Sequence, residues 1–277
     1  MTTTTTTAPT TAGPRRTTAG PARAFLAVLW RDLYVTGREL PVFLAQVVLQ
    51  PLFLLFVFGK VLTDLGFTQP GYTRVLFPGI VALTAFVTGL QSTAFPLVID
   101  FSFTKEIEDR LLAPLPVGMV AVEKVEKVVF ASLRALLAAL VMLPVGIWIL
   151  GSIPWRASGV PLFITILVLG CLVGSCLGMI MGTAVPPNRI NVMFALILTP
   201  LLFTGASQYP WASLDHLPWF QVVTALNPLT YVSEGMRAAL VPEVPHMRPW
   251  VSVLVLVVTI VVSLAIGIRL FLRRAVD

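Results

Sequence analysis

Apolar residues in this chain recur in runs of about 20, long enough for a helix to cross roughly 30 Å of hydrocarbon. They neither alternate with polar positions nor keep to one helical face, so half-buried strands and water-washed helices are both poor readings. Spans are read at 41–62, 76–100, 125–150, 159–184, 190–206 and 249–270, which predicts an all-α integral membrane protein with six transmembrane helices. Pro51, Pro96, Pro144 and Pro200 fall inside these runs. Membrane helices tolerate proline where neighbours or a kink satisfy the freed carbonyls.

A different pattern precedes the first run. From Arg23 to Arg38, Phe25, Leu26, Leu29 and Leu33 share one helical face, while Arg23, Arg31 and Arg38 occupy the other. That periodicity predicts an amphipathic helix over 22–38 lying among the lipid headgroups. Residues 1–21, rich in Thr, Ala, Pro and Gly, carry too little apolar area to fold and read as a disordered cytoplasmic tail. Arg31 and Asp32 cut the cluster Ala24–Trp30 short, so no secretory leader is expected. The domain reading is a membrane domain over 22–272 and a second cytoplasmic tail at 273–277.

Composition agrees with the pattern. The 277 residues are 57% hydrophobic and only 12% charged, with a mean hydropathy of +0.90, too apolar for a water-soluble surface. The formal net charge of +6 does not point to nucleic acid, because the basic residues flank apolar spans instead of clustering with aromatics on a polar domain. It reads as a topology signal. With the N-terminus inside, Arg15, Arg16, Arg23, Arg31, Arg38, Lys105, Arg110, Lys124, Lys127, Arg189, Arg269, Arg273 and Arg274 all lie on the cytoplasmic side. The positive-inside rule therefore predicts a multi-pass protein of the cytoplasmic membrane with both termini cytoplasmic.

Four features are candidates for function. The loop between the second and third spans, 103–116, has Thr104 to cap a short helix, the acids Glu106, Glu108 and Asp109 in its first turn, and Glu106 and Arg110 spaced i,i+4. Pro114 and Pro116 end it. A short helix mixing charges with Ile107, Leu111 and Leu112 suits either docking to a soluble partner or a solvated turn. In the fourth span Gly170, Gly174, Gly178 and Gly182 form a flat stripe on one face, a signal for close helix packing, with a partner in this chain or in a second copy. The segment 207–247 sets aromatics beside prolines at Trp211, Trp219 and Asn227-Pro228-Leu229-Thr230-Tyr231, as an interfacial, partly inserted loop would. Glu234 and Arg237, three apart on the helix that follows, are placed to pair at the membrane rim. Finally, Gln46 and Gln50 share a face of the first span and Gln91 sits mid-way along the second, as interhelical glue or as polar points on a transport path.

Other chemistry is missing. Gly59-Lys60 lacks both the first glycine and the Ser or Thr of a P-loop, having Leu54 and Val61 there instead. His216 and His246 have no companion at metal-ligand spacing, so no metal site is expected. Cys171 and Cys176, five apart on one helix, point too far apart to bridge. No acid or histidine occupies the middle of a span, as ion-coupled carriers usually require. Neither a catalytic constellation nor a bound cofactor is read from this chain, and active transport would need an outside energy source.

Three stretches carry a resemblance that covers roughly residues 22–272. Leu76-Phe77-Pro78-Gly79-Ile80 opens the second span, Lys105–Val117 carries an acidic stretch followed by Arg110-Leu111-Leu112 and Pro116, and Asn227-Pro228-Leu229-Thr230-Tyr231 precedes the last span. Together they resemble ABC-2-type permeases, in the style of the daunorubicin and multidrug-resistance exporters, with the fold of a type V ABC exporter. The resemblance implies a coupling helix at Lys105, Glu106, Glu108, Asp109, Arg110 and Leu111 that meets a separate ATPase, which binds ATP-Mg. It implies two permease copies, here a homodimer, with two ATPase subunits. An exit gate or substrate path is expected at Gln46, Gln50, Gln91, Trp211, Trp219, Asn227 and Tyr231. The cargo implied is an amphiphilic compound, with a lipid-linked glycan or lipid, and then ion-coupled carriage, as rival readings. The loop is one residue longer than in many members, Leu112-Ala113-Pro114-Leu115-Pro116-Val117 in place of Leu-Ala-Thr-Pro-Val, which changes the docking contacts.

Overall fold

The computed structural model describes residues 41–69, 71–99, 117–151, 157–185 and 189–276. The tail 1–21, the amphipathic helix expected over 22–38 and the loop holding Lys105, Glu106, Glu108, Asp109, Arg110 and Leu111 lie outside the described residues. The chain divides into Met1–Phe43 and Leu44–Asp277, and the architecture below is that of the second unit.

The described residues are helical, with no strand among them. In order they are α1 (Pro41–Asp64), α2 (Tyr72–Ile99), α3 (Val117–Leu150), α4 (Val160–Ala184), α5 (Ile190–Thr204), α6 (Pro218–Ala225), α7 (Pro228–Leu240) and α8 (Pro249–Val276). Helices dominate because lipid offers backbone amides no hydrogen-bond partner, and a helix pairs them internally. Pro51, Pro78, Pro96, Pro144 and Pro200 all sit inside helices. α1 loosens into a π-turn at Val57–Val61, where Leu62 N–H bonds back five residues to the Val57 carbonyl. α8 runs on through Val276.

α2 is the central element, packing on α4 most extensively and also on α3 and α7. Its residues Leu76, Phe77, Ile80, Val81, Ala82, Ala85 and Phe86 are fully enclosed. Membrane helices gain nothing from leaving one apolar medium for another, so what holds α2 and α4 together is contact distance. The glycine stripe supplies it. A Cβ on Gly174 would overlap the Phe86 carbonyl oxygen, one on Gly178 the Leu90 carbonyl oxygen, and one on Gly182 would lie 2.8 Å from Leu97 Cβ. Gly170 faces α7 instead, its Cβ position 2.6 Å from Val232 Cγ1. The stripe is thus filled from within the chain. Gly89 on α2 answers it, taking the Cys171 carbonyl, and a Ser132–Ser175 hydroxyl bond of 3.0 Å joins α3 to α4.

Five described helices are long and apolar enough to cross a membrane: Pro41–Asp64, Tyr72–Ile99, Glu126–Leu150, Ala157–Ala184 and Pro249–Leu270. The span expected at 190–206 is the difference. α5 has 15 residues, about 22 Å of helix, and it stops at Thr204 although the apolar run continues through Gly205 and Ala206. There the backbone turns, with Ala206 at φ 48°, and its carbonyls are taken by side chains from further along the chain.

Candidate functional site

The residues after α5 form a small helical assembly built around α7. Asn227 opens α7: its Oδ1 accepts from Leu229 N at 2.9 Å, and its Nδ2 donates to the Leu201 carbonyl at 2.8 Å and to Thr204 Oγ1 at 2.9 Å. Pro228 follows at the first helical position, where a missing N–H costs nothing. Leu229 is fully buried in space left by Gly205, on which any Cβ would strike it. Thr230 Oγ1 donates to the Thr224 carbonyl at 2.6 Å and lies 3.2 Å from that of Thr204, while Tyr231 Oη donates to the Ala225 carbonyl at 2.8 Å. The five-residue signature therefore works as one device: it starts α7 and caps the ends of α5 and α6.

Removing its first member tests this. Asn227→Ala loses a helix cap worth about 0.5–2 kcal/mol and two further bonds, and a lower thermal midpoint of the purified protein is expected. Asn227→Asp keeps the cap acceptor and loses the amide donors, so it should fall between alanine and wild type.

One turn on, Glu234 and Arg237 form an ion pair of 2.6 Å with both side chains fully buried. They do pair, but inside the protein and not at the membrane rim expected from sequence. Glu234 Oε1 also accepts from Trp211 N and Oε2 from Met247 N, each at 2.9 Å. Arg237 Nη2 donates to the carbonyls of Ala206 and Ser207 at 2.5 and 3.1 Å, and Nε to that of Val75 at 3.3 Å. Burial pulls the Arg237 pKa below its ordinary value and the Glu234 carboxylate pulls it back up. The pair ties the start of α2, the turn after α5, the Trp211 loop and the entry to α8 to one point. Gly79 makes the approach possible, since a Cβ there would overlap the Ser207 carbonyl oxygen.

The carbonyls of four consecutive residues, Thr204 to Ser207, thus face side-chain donors from Thr230, Ser233 and Arg237, with Ser233 Oγ at 3.0 Å from the Gly205 oxygen. Ser233 and the buried roles of Glu234 and Arg237 were not singled out from sequence, although a signal existed. Thr230, Ser233, Glu234 and Arg237 recur at i, i+3, i+4 and i+7, a polar stripe inside an otherwise apolar chain.

The remaining candidates are dispersed. Trp211 Nε1 donates to the Gln221 carbonyl at 3.1 Å, while Trp219 is 68% exposed. Gln46 and Gln50 are exposed along α1, beside Leu49, Phe53 and Val57, in an open groove of about 500 Å³. Gln91 is half-buried on α2, away from that groove's lining. No group of three or more metal-ligating side chains occurs among the described residues.

This geometry joins the two described stretches that the sequence singled out, Pro78-Gly79 and Asn227–Tyr231, through one buried ion pair. The model of the family described as ABC-2 type transporter matches residues 23–241, from the expected amphipathic helix to the end of α7. The chain belongs to the ABC-2 type transporter family. It is 30% identical over 222 residues to "Putative transport permease ycf38" of Cyanophora paradoxa, covering 76% of this chain and 72% of that one. The protein of the same name from Porphyra purpurea is 25% identical over 223 residues, with the same coverage. No solved structure matches. As a member of this ABC-2 family the chain is a multi-pass membrane protein of a transporter.

Proposed function

We propose that this ABC-2 protein is the permease subunit of an exporter that moves an amphiphilic compound across the cytoplasmic membrane, driven by a separate ATPase that binds ATP-Mg. The observation that carries the reading is the family match over 23–241, which includes the charged loop at Lys105, Glu106, Glu108, Asp109, Arg110 and Leu111. The short charged helix that the sequence predicts at this loop would be suited to take up a push from a soluble partner. Two ATPase subunits and two copies of this chain make the working unit, with both termini cytoplasmic.

The groove on α1 supports the second copy. Exposed amides on a membrane-spanning helix are costly against lipid, because hydrocarbon offers them no partner. The face bearing Gln46 and Gln50 is better satisfied against another permease or along the path between the two, and Gln91 would add a polar point to that path. Trp211, Trp219, Asn227 and Tyr231 belong to the assembly at the exit, with Asn227 and Tyr231 holding its frame.

The test is a mild-detergent pull-down of the tagged chain from its native cells, with ATP hydrolysis measured on the complex. A P-loop protein is expected to copurify, and Arg110→Glu should weaken that association while leaving the permease folded. Recovery of the chain alone, without ATPase activity, would refute the reading and favour ion-coupled carriage. Altered surface glycans with normal drug tolerance in a deletion strain would shift the cargo to a lipid-linked glycan or lipid.

A further inference from the structure

α8 is longer than the hydrocarbon is thick. Its 28 residues make about 42 Å of helix against roughly 30 Å of acyl chain, and Trp250, 61% exposed in its first turn, suits an anchor at one surface. Counted from Trp250, Arg269 lies about 28 Å along the axis and Arg273 about 34 Å, at the far edge of the hydrocarbon and in the phosphate layer just beyond it. The residues between them, Leu270, Phe271 and Leu272, are apolar, which suits a headgroup setting and not open water.

The helix register gives these arginines a common side. Leu254, Val258, Val261, Val262 and Ile266 form the exposed side of α8, whereas Ser252, Leu256 and Ser263 are buried, and Gly267 lies against Met179 of α4. At 3.6 residues per turn Arg269 falls on the exposed side, and it is itself exposed. Position 273, one turn on, continues that side, and position 274 departs from it by about 100°. No acid offsets the pair: none occurs from Val244 to Val276, α4 carries no charged residue, and Arg269 has no ion-pair partner among the described residues.

A second copy does not suit this face. Two copies in one bilayer run parallel, so a two-fold contact through it would set Arg269 and Arg273 against their own counterparts, like charge on like. A soluble protein would have to reach them at the depth of the lipid phosphates. Phosphate oxygens are what an arginine pair one turn apart is equipped to hold, since each planar fork offers parallel N–H donors.

We propose that Arg269 and Arg273 bind the phosphodiester of an anionic phospholipid whose acyl chains lie along the apolar side of α8. A headgroup that carries its own amine binds less well, because that cation already neutralises the phosphate and repels the guanidinium groups. The proposal concerns α8 alone and stands whatever is transported and whatever drives it.

Native mass spectrometry of the full-length protein, released from maltoside micelles containing equal amounts of phosphatidylglycerol and phosphatidylcholine, tests it. Wild type is expected to retain phosphatidylglycerol preferentially. Arg269→Gln and Arg273→Gln should each weaken that binding about fivefold, and Arg274→Gln, off the face, less than about twofold, with phosphatidylcholine adducts unchanged throughout. No preference in wild type would overturn the proposal. So would equal losses at all three arginines, which would mean a diffuse field and no site. Unchanged phosphatidylglycerol binding in Arg273→Gln, with loss of a copurifying protein, would give the arginines to a protein contact instead. A second reading needs no variant: phosphatidylglycerol should raise the thermal midpoint of the wild-type protein, and about 1 M salt should erase that rise. A rise that persists in salt would come from acyl chains alone and would refute the phosphate contact.

Discussion

Arg237→Met is expected to abolish accumulation of folded permease. Glu234 would remain fully buried with its countercharge gone, and removing one partner of a buried pair costs about 3–5 kcal/mol. The carbonyls of Ala206, Ser207 and Val75 lose their donor as well, and each orphaned buried group adds about 1–3 kcal/mol. Set against a typical folding stability of 5–15 kcal/mol, that is enough to unfold the assembly around α7. Arg237→Lys should rescue little, because an ammonium lacks the planar fork that reaches Glu234, Ala206, Ser207 and Val75 together. Size-exclusion profiles and thermal midpoints of fluorescent fusions would check both variants. A monodisperse Arg237→Met protein with an unchanged midpoint would show that the pair does not hold the fold.

The second large effect is on the glycine stripe, and it is a ranking. Gly174→Ala and Gly178→Ala put a methyl group onto backbone oxygens of α2, at Phe86 and Leu90, which cannot rotate away. α2 and α4 must then move apart along the most extensive helix contact among the described residues, and a cost at or above the 1–3 kcal/mol usual for overpacking is expected. Gly170→Ala meets the side chain of Val232, which can shift, so its cost should be smaller. Gly59→Ala, with its nearest neighbour the end of Leu150 at 3.2 Å, should be mildest. Thermal midpoints in one detergent would give the order. If Gly174→Ala proved no worse than Gly59→Ala, the contact between α2 and α4 would not be the one that limits stability.

These variants also separate two kinds of glycine. Gly174 and Gly178 are needed for helix approach in the middle of the bundle, whereas Gly79 and Gly205 make room for the turn after α5 and for Leu229. In sequence the two kinds look alike. Periodicity betrayed the first, as four glycines at four-residue spacing. Nothing local betrayed the second, because the atoms that need the space come from residues more than twenty positions away.

The membrane setting, the helical class and five of the six expected spans to within about four residues follow from hydropathy alone, which is a property of each run by itself. As a helix α3 begins about two turns before its expected span, since a helix can continue beyond the hydrocarbon. α5 fell short of its run for a reason hydropathy does not contain: Thr230, Ser233 and Arg237 offer the carbonyls at 204–207 other partners, and the chain turns where those donors wait. Asn227-Pro228-Leu229-Thr230-Tyr231 was recognisable as a pattern, but its work as a cap for two other helices depends on where Leu201, Thr204 and Ala225 lie in space. The same holds for Glu234 and Arg237, whose spacing announces a pair and leaves its surroundings open. Whether that pair sits in water or in the dry interior is set by which elements close over it, and only the packing of α2, α7 and the approach to α8 decides that.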